Sequence, residues 1–247
     1  MSDSAHIVLE SAAFALGGLL YWRGSSTPAP GQDTIGRLGI VAGAALGAAL
    51  GSRLLYVAQY WTALSSQPWP IWLGGKTIVG ALLGGLVGVE LAKAALGWRD
   101  STGNRFVVPL LVAMIIGRIG CQLSGVADQT YGTATTLPWG WDYGDGVPRH
   151  PTSLYEIIGL AVIGWIVYRP RFAREPGDRF RVLMTTYLLL RLVLEFLKPP
   201  FGPAARGALM ADFWGPLAAI QWACLAGLAY YLPASRRWLS TQEARSA

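Results

Sequence analysis

The chain has 247 residues, of which 53% are hydrophobic and 14% charged, with a formal net charge of +6. Soluble domains carry about 25% charged residues, whereas long runs almost free of charge recur here, near the length that crosses a ~30 Å hydrocarbon core. These numbers argue against a soluble protein, and the clustering of the basic residues between apolar runs argues against nucleic-acid binding. We expect one all-α, polytopic membrane domain over residues 1–247.

Seven transmembrane helices are predicted from the apolar runs. The opening sequence MSDSAHIVLES has no Lys or Arg ahead of the first run, which favours a retained first span over a cleaved signal peptide. Cys121 and Cys224 both lie in apolar runs, which argues against a disulfide framework. The approximate bounds of the spans are 7–22, 36–60, 78–96, 107–124, 153–168, 180–198 and 213–232.

The basic residues predict the orientation, since cytoplasmic connections carry an excess of Lys and Arg. One side of the predicted membrane holds four basic residues, Lys76, Arg149, Lys198 and Arg206, and the other side holds thirteen. We therefore expect the side with thirteen to be cytoplasmic, with the N-terminus outside, the C-terminus in the cytoplasm, and the long loop over residues 125–152 outside. The other side holds Arg23, Arg37, Lys93, Arg99, Arg105, Arg169, Arg171, Arg174, Arg179, Arg181, Arg236, Arg237 and Arg245.

Glycine recurs every four residues in the second and third spans, which is typical of helix faces that approach closely in lipid. The stripes are Gly39, Gly43, Gly47 and Gly51, then Gly80, Gly84 and Gly88. Between them, PWPIWLGGKTIVG contains Gly75-Lys76-Thr77. Because Pro70 stands where a phosphate-binding loop needs its first glycine, we reject nucleotide binding. The Trp and Pro content indicates an interfacial or re-entrant segment.

Ionisable side chains inside the predicted spans point to a site, because each costs at least ~2.5–3.5 kcal/mol near the centre of a membrane helix. Arg53, Arg118 and Glu156 fall near the outer ends of spans two, four and five. Span six carries a stripe on one helical face, with spacing i, i+4, i+8 and i+11. This stripe is Tyr187, Arg191, Glu195 and Lys198.

Two interpretations of these charges remain open. In the first, Arg118 pairs with Glu156 and Arg191 with Glu195, which fixes helix register. In the second, the excess of cations binds an anion, since a guanidinium binds phosphate with paired hydrogen bonds. The anion at that depth is a phospholipid headgroup. His150, in the loop, is then a candidate general base.

The same residues carry a resemblance to a known family. The chain resembles bacterial prolipoprotein diacylglyceryl transferases from about residue 36 to about residue 222. The charge spacing of span six belongs to this resemblance. The other matching motifs are GSRLLYV at 51–57, GGKTIVGALLG at 74–84, GRIG at 117–120 and RHPTSLYE at 149–156.

The resemblance implies a seven-span enzyme of the bacterial inner membrane, with its active site facing the outer leaflet. Such enzymes transfer diacylglyceryl from phosphatidylglycerol to the lipobox cysteine of a prolipoprotein signal peptide and release glycerol phosphate. Arg118 and Arg191 are then expected to hold the phosphate, with Tyr187 and Glu195 in support and His150 lining the site. The implied substrate-binding residues are Arg53, Arg118, Lys198, Tyr155, Glu156, Gly75 and Thr77. No metal or other cofactor is expected.

Three positions depart from the family pattern. Val79 stands where the family normally has histidine, Cys121 where it has asparagine, and Val126 where it has glutamate. We interpret Cys121 as packing, because a lone cysteine in an apolar helix is usually inert. The alternatives are therefore a phospholipid-using transferase with another acceptor, and a lipid-binding or transport protein without turnover.

Overall fold

The computed structural model describes residues 2–24, 34–128, 130–202 and 209–243. Most of these residues are helical, and short 3₁₀ turns cover Gly103–Phe106, Gly125–Asp128 and Pro170–Phe172. The α-helices are α1 (Ser2–Arg23), α2 (Thr34–Gln59), α3 (Trp61–Ser65), α4 (Trp69–Trp72), α5 (Ile78–Leu96), α6 (Val107–Ser124), α7 (Thr152–Val167), α8 (Asp178–Glu195) and α9 (Ala219–Glu243).

The strands form three antiparallel pairs of two residues each. They are β1 (Trp141–Asp142) with β2 (Pro148–Arg149), β3 (Phe201–Gly202) with β4 (Leu209–Met210), and β5 (Phe213–Trp214) with β6 (Leu217–Ala218). The described part of the chain is thus a helical protein in which strands serve only as small hairpins.

Each of the seven predicted spans overlaps a helix, namely α1, α2, α5, α6, α7, α8 or α9. The start predicted for the last span is wrong, because residues 213–218 form the β5–β6 hairpin and α9 begins at Ala219. Among the described residues, three segments are long and apolar enough to cross a membrane, by length and composition: Thr34–Gln59, Ile78–Leu96 and Gly103–Ser124. This agrees with a mainly helical membrane protein. The number of spans and their orientation stay predictions, and Arg206 and Arg245, used for the orientation, lie outside the described residues.

The chain divides into two compact units. The first comprises Met1–Ser25, Ser101–Pro199 and Leu225–Ala247, and the second comprises Ser26–Asp100 and Pro200–Cys224. Helix α9 therefore begins in the second unit and continues in the first. The predicted single transmembrane domain stays a prediction.

In the first unit, α6 packs against α1 and α7, and α7 packs against α8. On α7, Leu160, Ile163 and Val167 are buried and recur at helical spacing, so one face meets the protein. The other side of α7 exposes Ile158 and Trp165. An exposed apolar face is typical of a helix that borders lipid, because exposed Ile or Trp is not penalised in hydrocarbon as it is in water.

In the second unit, α2 and α5 lie antiparallel with their glycine stripes in backbone contact. A Cβ added at Gly43 would lie 2.6 Å from the Gly88 carbonyl oxygen, and one at Gly51 would overlap that of Gly80. Large apolar side chains such as Leu54 and Leu91 point outward and are exposed. The predicted use of the glycine stripes as packing surfaces is confirmed.

The start of α5 is tied to α2 by two hydrogen bonds. The Thr77 amide donates to Ser52 Oγ at 3.0 Å, and Thr77 Oγ1 donates to the Ser52 carbonyl at 3.1 Å. At the other end, Gly97 closes α5 in the left-handed conformation, with φ of 69°. The short helices α3 and α4 lie between α2 and α5 in sequence, and α4 falls within the Trp- and Pro-rich segment. The interfacial or re-entrant position of that segment stays a prediction.

Substitution of Gly84 by alanine should destabilise the second unit. The added Cβ would overlap the Gly47 carbonyl oxygen and lie 2.8 Å from the Gly51 Cα, and overpacking of this kind costs about 1–3 kcal/mol. The measurement is the unfolding midpoint in detergent micelles. Gly85→Ala is the matched control, because its Cβ would approach nothing closer than the Ala44 carbonyl oxygen at 3.4 Å. Equal midpoints for both variants would contradict the packing described.

Candidate functional site

One carboxylate, Glu156 on α7, joins three helices of the first unit. Arg118 Nη2 on α6 lies 2.9 Å from Glu156 Oε2, and Arg191 Nη1 on α8 lies 3.5 Å from the same oxygen. The Tyr187 hydroxyl on α8 donates to Glu156 Oε1 at 2.7 Å. Glu156 is 1% exposed, Arg118 6% and Arg191 4%. The predicted arginines are therefore brought together on a shared, buried partner.

A second carboxylate completes the cluster. Arg191 Nη2 lies 2.7 Å from Glu195 Oε2, one turn further along α8. Lys198 follows just beyond the helix, close enough to Arg191 and Glu195 for electrostatic interaction. Its ammonium group makes no hydrogen bond or ion pair with a residue that the structure describes. Three cations thus face two carboxylates, which leaves one formal positive charge.

The arginines also retain unused hydrogen-bond donors. Arg118 Nε and Arg191 Nε are buried and have no hydrogen-bond partner among the described residues. A guanidinium carries five N–H donors and no acceptor, so only an electronegative atom can satisfy these positions. Both anticipated ion pairs are present, and the cluster still has donors and charge for an additional anion.

His150 belongs to a neighbouring polar group centred on the Tyr155 hydroxyl. His150 Nδ1 lies 3.2 Å from the Tyr155 oxygen, and Trp139 Nε1 donates to that oxygen at 2.9 Å. Because indole N–H can only donate, the Tyr155 oxygen accepts from Trp139, and the imidazole tautomer decides which atom donates between His150 and Tyr155. The His150 backbone also pairs with Gly132 and Thr133. The structure therefore fixes the position of His150 through the loop and the first turn of α7.

The long loop is folded into a hairpin and is well hydrogen-bonded. Asp142 Oδ1 accepts the backbone amides of residues 144, 145 and 146 at 2.8–3.1 Å. Arg149 donates to both Asp145 carboxylate oxygens at 2.7 Å and lies over the Tyr131 ring. These hydrogen bonds hold the pKa of Asp145 below its usual range and raise the pKa of Arg149.

Two contacts were not anticipated from the sequence. Arg118 Nη1 donates to Cys121 Sγ at 3.7 Å, so the interpretation of Cys121 as mere packing is incomplete. The Tyr143 hydroxyl donates to Gln122 Oε1 at 3.1 Å, and burial raises the pKa of Tyr143. The positions i+3 and i+4 from Arg118 could have pointed to Cys121 and Gln122. Nothing in the sequence pointed to Tyr143.

The remaining predicted residues lie in the second unit. Arg53 on α2 is half-buried and makes no hydrogen bond or ion pair with a described residue. A Cβ at Gly75 would overlap the Tyr56 ring, and Thr77 spends its hydroxyl and amide on Ser52. The structure thus gives Gly75 and Thr77 packing roles, while their predicted contact with substrate stays a prediction, as does that of Arg53.

The fold and the cluster define a class: a helical membrane protein whose buried arginines are held by carboxylates. The family profile described as "Prolipoprotein diacylglyceryl transferase" matches residues 8–232. The chain belongs to this family and is a transferase.

Relatives in several bacteria agree with this assignment. The phosphatidylglycerol--prolipoprotein diacylglyceryl transferase of Nitratidesulfovibrio vulgaris (strain DP4) is 32% identical over 223 residues, covering 80% of this chain and 82% of the relative. The protein of the same name from Bordetella parapertussis is 31% identical, covering 79% of this chain and 75% of the relative. That from Legionella pneumophila is 32% identical and covers 63% of each chain.

Removal of the shared carboxylate should destabilise the first unit strongly. Glu156→Ala leaves Arg118 without its only carboxylate partner among the described residues, and an uncompensated buried charge costs about 3–5 kcal/mol. Glu175→Ala, which removes an exposed carboxylate 3.7 Å from Arg181, should cost at most about 1 kcal/mol. Denaturant or thermal unfolding in micelles compares the two. Similar losses would show that Glu156 is not the structural centre of the cluster.

Proposed function

We propose that this protein transfers the diacylglyceryl group of phosphatidylglycerol to the thiol of a lipobox cysteine in a prolipoprotein signal peptide, with release of glycerol phosphate. One observation carries the proposal: Arg118 and Arg191, from different helices, meet on Glu156 and keep buried Nε donors that have no partner among the described residues. The names of the relatives support the choice of donor and acceptor.

The reaction is a substitution at carbon. The cysteine sulfur attacks the glyceryl C3 carbon that bears the phosphate ester, a C–S bond forms, and the C–O bond breaks with its electrons going to the phosphate oxygen. The phosphate gains one negative charge as it leaves. Arg118 and Arg191 stabilise that developing charge, which is the kind of interaction that lowers a barrier because it strengthens in the transition state.

The thiol proton requires an acceptor, since the thiolate is the nucleophile. In this proposal His150 donates Nδ1–H to the Tyr155 oxygen, which orients the imidazole and leaves the Nε2 lone pair to take the thiol proton. Glu156 and Tyr187 position the arginines, Glu195 holds Arg191, and Lys198 adds positive charge at the edge of the cluster.

The proposed setting is the bacterial inner membrane. Seven spans, an external N-terminus and a cytoplasmic C-terminus place the 125–152 loop outside and the active site toward the outer leaflet. The charge distribution supports this orientation. The partners are then phosphatidylglycerol, the precursor lipoprotein and the surrounding lipids.

A second candidate keeps the phospholipid donor and changes the acceptor. It is favoured by Val79, which stands where the family normally has histidine and is only 1% exposed, as a packing residue would be. A transferase that lacks this imidazole would suit a nucleophile other than the lipobox cysteine. Incubation of the purified protein with phosphatidylglycerol, with and without a lipobox peptide, separates the candidates. Glycerol phosphate release together with a diacylglyceryl mass increase on the peptide supports the first candidate.

Release without peptide modification would favour the second candidate, and no release would leave a lipid-binding protein. Complementation of bacteria depleted of their own lipoprotein-lipidating enzyme extends the test to cells. Growth supported by this gene is expected under the first candidate, because the depleted activity is the one proposed.

Substitution of Arg191 should abolish turnover while the protein stays folded. Arg191→Ala removes one donor to the leaving phosphate, which typically costs about 10²–10³-fold in rate, whereas Glu156 keeps Arg118 and Tyr187. Arg181→Ala on the same helix is the control, because its ion-pair partners among the described residues are Glu175 and Asp178, near the start of α8. The measurement is glycerol phosphate release at saturating donor. Full activity of Arg191→Ala would refute the role of the arginine pair.

A further inference from the structure

Gln122 lies one helical turn beyond Arg118 on α6, toward the loop. Residues four apart on an α-helix project from the same face, about 6 Å apart along the axis. The Gln122 side chain therefore lies one turn from Arg118 on the same face of α6, on the side nearer the loop.

A hydrogen bond from the loop fixes the Gln122 amide. The Tyr143 hydroxyl donates to Gln122 Oε1 at 3.1 Å, so the amide oxygen is used. Gln122 Nε2 is buried and has no hydrogen-bond partner within the part of the chain that the structure describes. Buried amide donors are paired in the great majority of cases. This donor is therefore available to an acceptor atom supplied by a ligand.

The hairpin holds Tyr143 firmly in place. Asp142 accepts three successive backbone amides immediately after Tyr143. The Tyr143 ring lies 5.9 Å from the Tyr131 ring, which Arg149 covers at 4.7 Å. Because Tyr143 is anchored from two sides, the orientation of the Gln122 amide is built into the fold.

The surroundings limit the ligand chemistry. Arg118 and Lys198 belong to a cluster that, among the described residues, has one excess positive charge, which disfavours an ammonium headgroup. The Gln122 N–H donor needs an acceptor atom in the ligand, and an oxygen can serve. If Arg118 holds the phosphate of that ligand, the oxygen lies about one helical turn away and is an uncharged part of the headgroup. A three-carbon polyol reaches from its phosphate over about the length of one turn, ~5.4 Å.

We propose that Gln122 Nε2 binds a terminal hydroxyl of the glycerol headgroup of the lipid donor, with Tyr143 as the residue that positions the amide. This inference rests on the proposed function, since it assumes that the cluster holds the headgroup phosphate. It assigns to Gln122 the selection of a polyol headgroup over a headgroup without hydroxyls.

The test compares two donors that differ only in the hydroxyls: phosphatidylglycerol and phosphatidylpropanol. The variants are Gln122→Leu, which keeps the size of the side chain, and Tyr143→Phe, which removes the hydroxyl. Gln67→Leu and Tyr168→Phe are matched controls, because both residues are exposed and lie outside the site. The readouts are kcat/KM for each donor and the rise in unfolding temperature that each donor produces in micelles.

The native protein is expected to prefer phosphatidylglycerol about tenfold, the effect of one good hydrogen bond. Gln122→Leu should reduce the preference to less than about twofold by lowering the value for phosphatidylglycerol alone. Tyr143→Phe should reduce it in part, and the controls should keep it. An unchanged preference in Gln122→Leu would overturn the inference. A changed KM for the acceptor peptide, with the donor preference intact, would also overturn it, because the amide would then bind a peptide carbonyl.

The thermal readout separates this inference from the proposed function. If no transfer occurs but phosphatidylglycerol still stabilises the native protein more than phosphatidylpropanol, and Gln122→Leu removes that difference, the headgroup subsite stands without the reaction. If transfer occurs and Gln122→Leu leaves both readouts unchanged, the reaction stands and the subsite does not.

Discussion

The shared carboxylate of Glu156 is the interaction on which the first unit depends. It accepts from two arginines and a tyrosine that belong to the helices on either side of α7. Burial of a charged pair rarely adds net stability, because desolvation offsets the attraction. Its effect here is positional: α6, α7 and α8 must meet at one depth and one rotation for all three contacts to form. The same contacts hold two guanidinium groups charged inside an apolar helical protein.

The loop between α6 and α7 contributes to the site through two hydroxyl-centred contacts. Trp139 meets Tyr155 at the start of α7, and Tyr143 meets Gln122 near the end of α6. A connection of this length would cost considerable conformational entropy if each residue were ordered separately. The Asp142 turn limits that cost, because one carboxylate oxygen organises three consecutive amides. The loop is thereby held against the start of α7 and the end of α6.

Helix positions followed directly from the sequence, because apolar runs of membrane length leave little choice of structure. The pairs Arg118–Glu156 and Arg191–Glu195 could be anticipated from helical spacing and from charge. Contacts of Glu156 with a second arginine could not, since they depend on the rotation of α8 about its own axis. Nor could the Gln122 contact be foreseen, because the path of the hairpin is decided by turn hydrogen bonds.

The residues predicted to bind substrate in the second unit show what a sequence motif cannot distinguish. Gly75 and Thr77 sit in a motif that resembles a functional segment, yet the structure uses one to admit the Tyr56 ring and the other to bind Ser52. A motif records which residue types are needed at a position. It does not distinguish close packing beneath a site from contact with a ligand.

The glycine stripes of α2 and α5 do not by themselves fix the register of one helix along the other. Because both stripes repeat every four residues, sliding one helix by a single repeat would again set glycine against glycine, and the backbones would fit almost as well. The stripes therefore specify that the helices touch without specifying the offset. The paired hydrogen bonds of Thr77 and Ser52 occur once along the contact and resolve the ambiguity. The side chains of Thr77 and Ser52 thus fix the register of an interface whose glycine contacts are periodic.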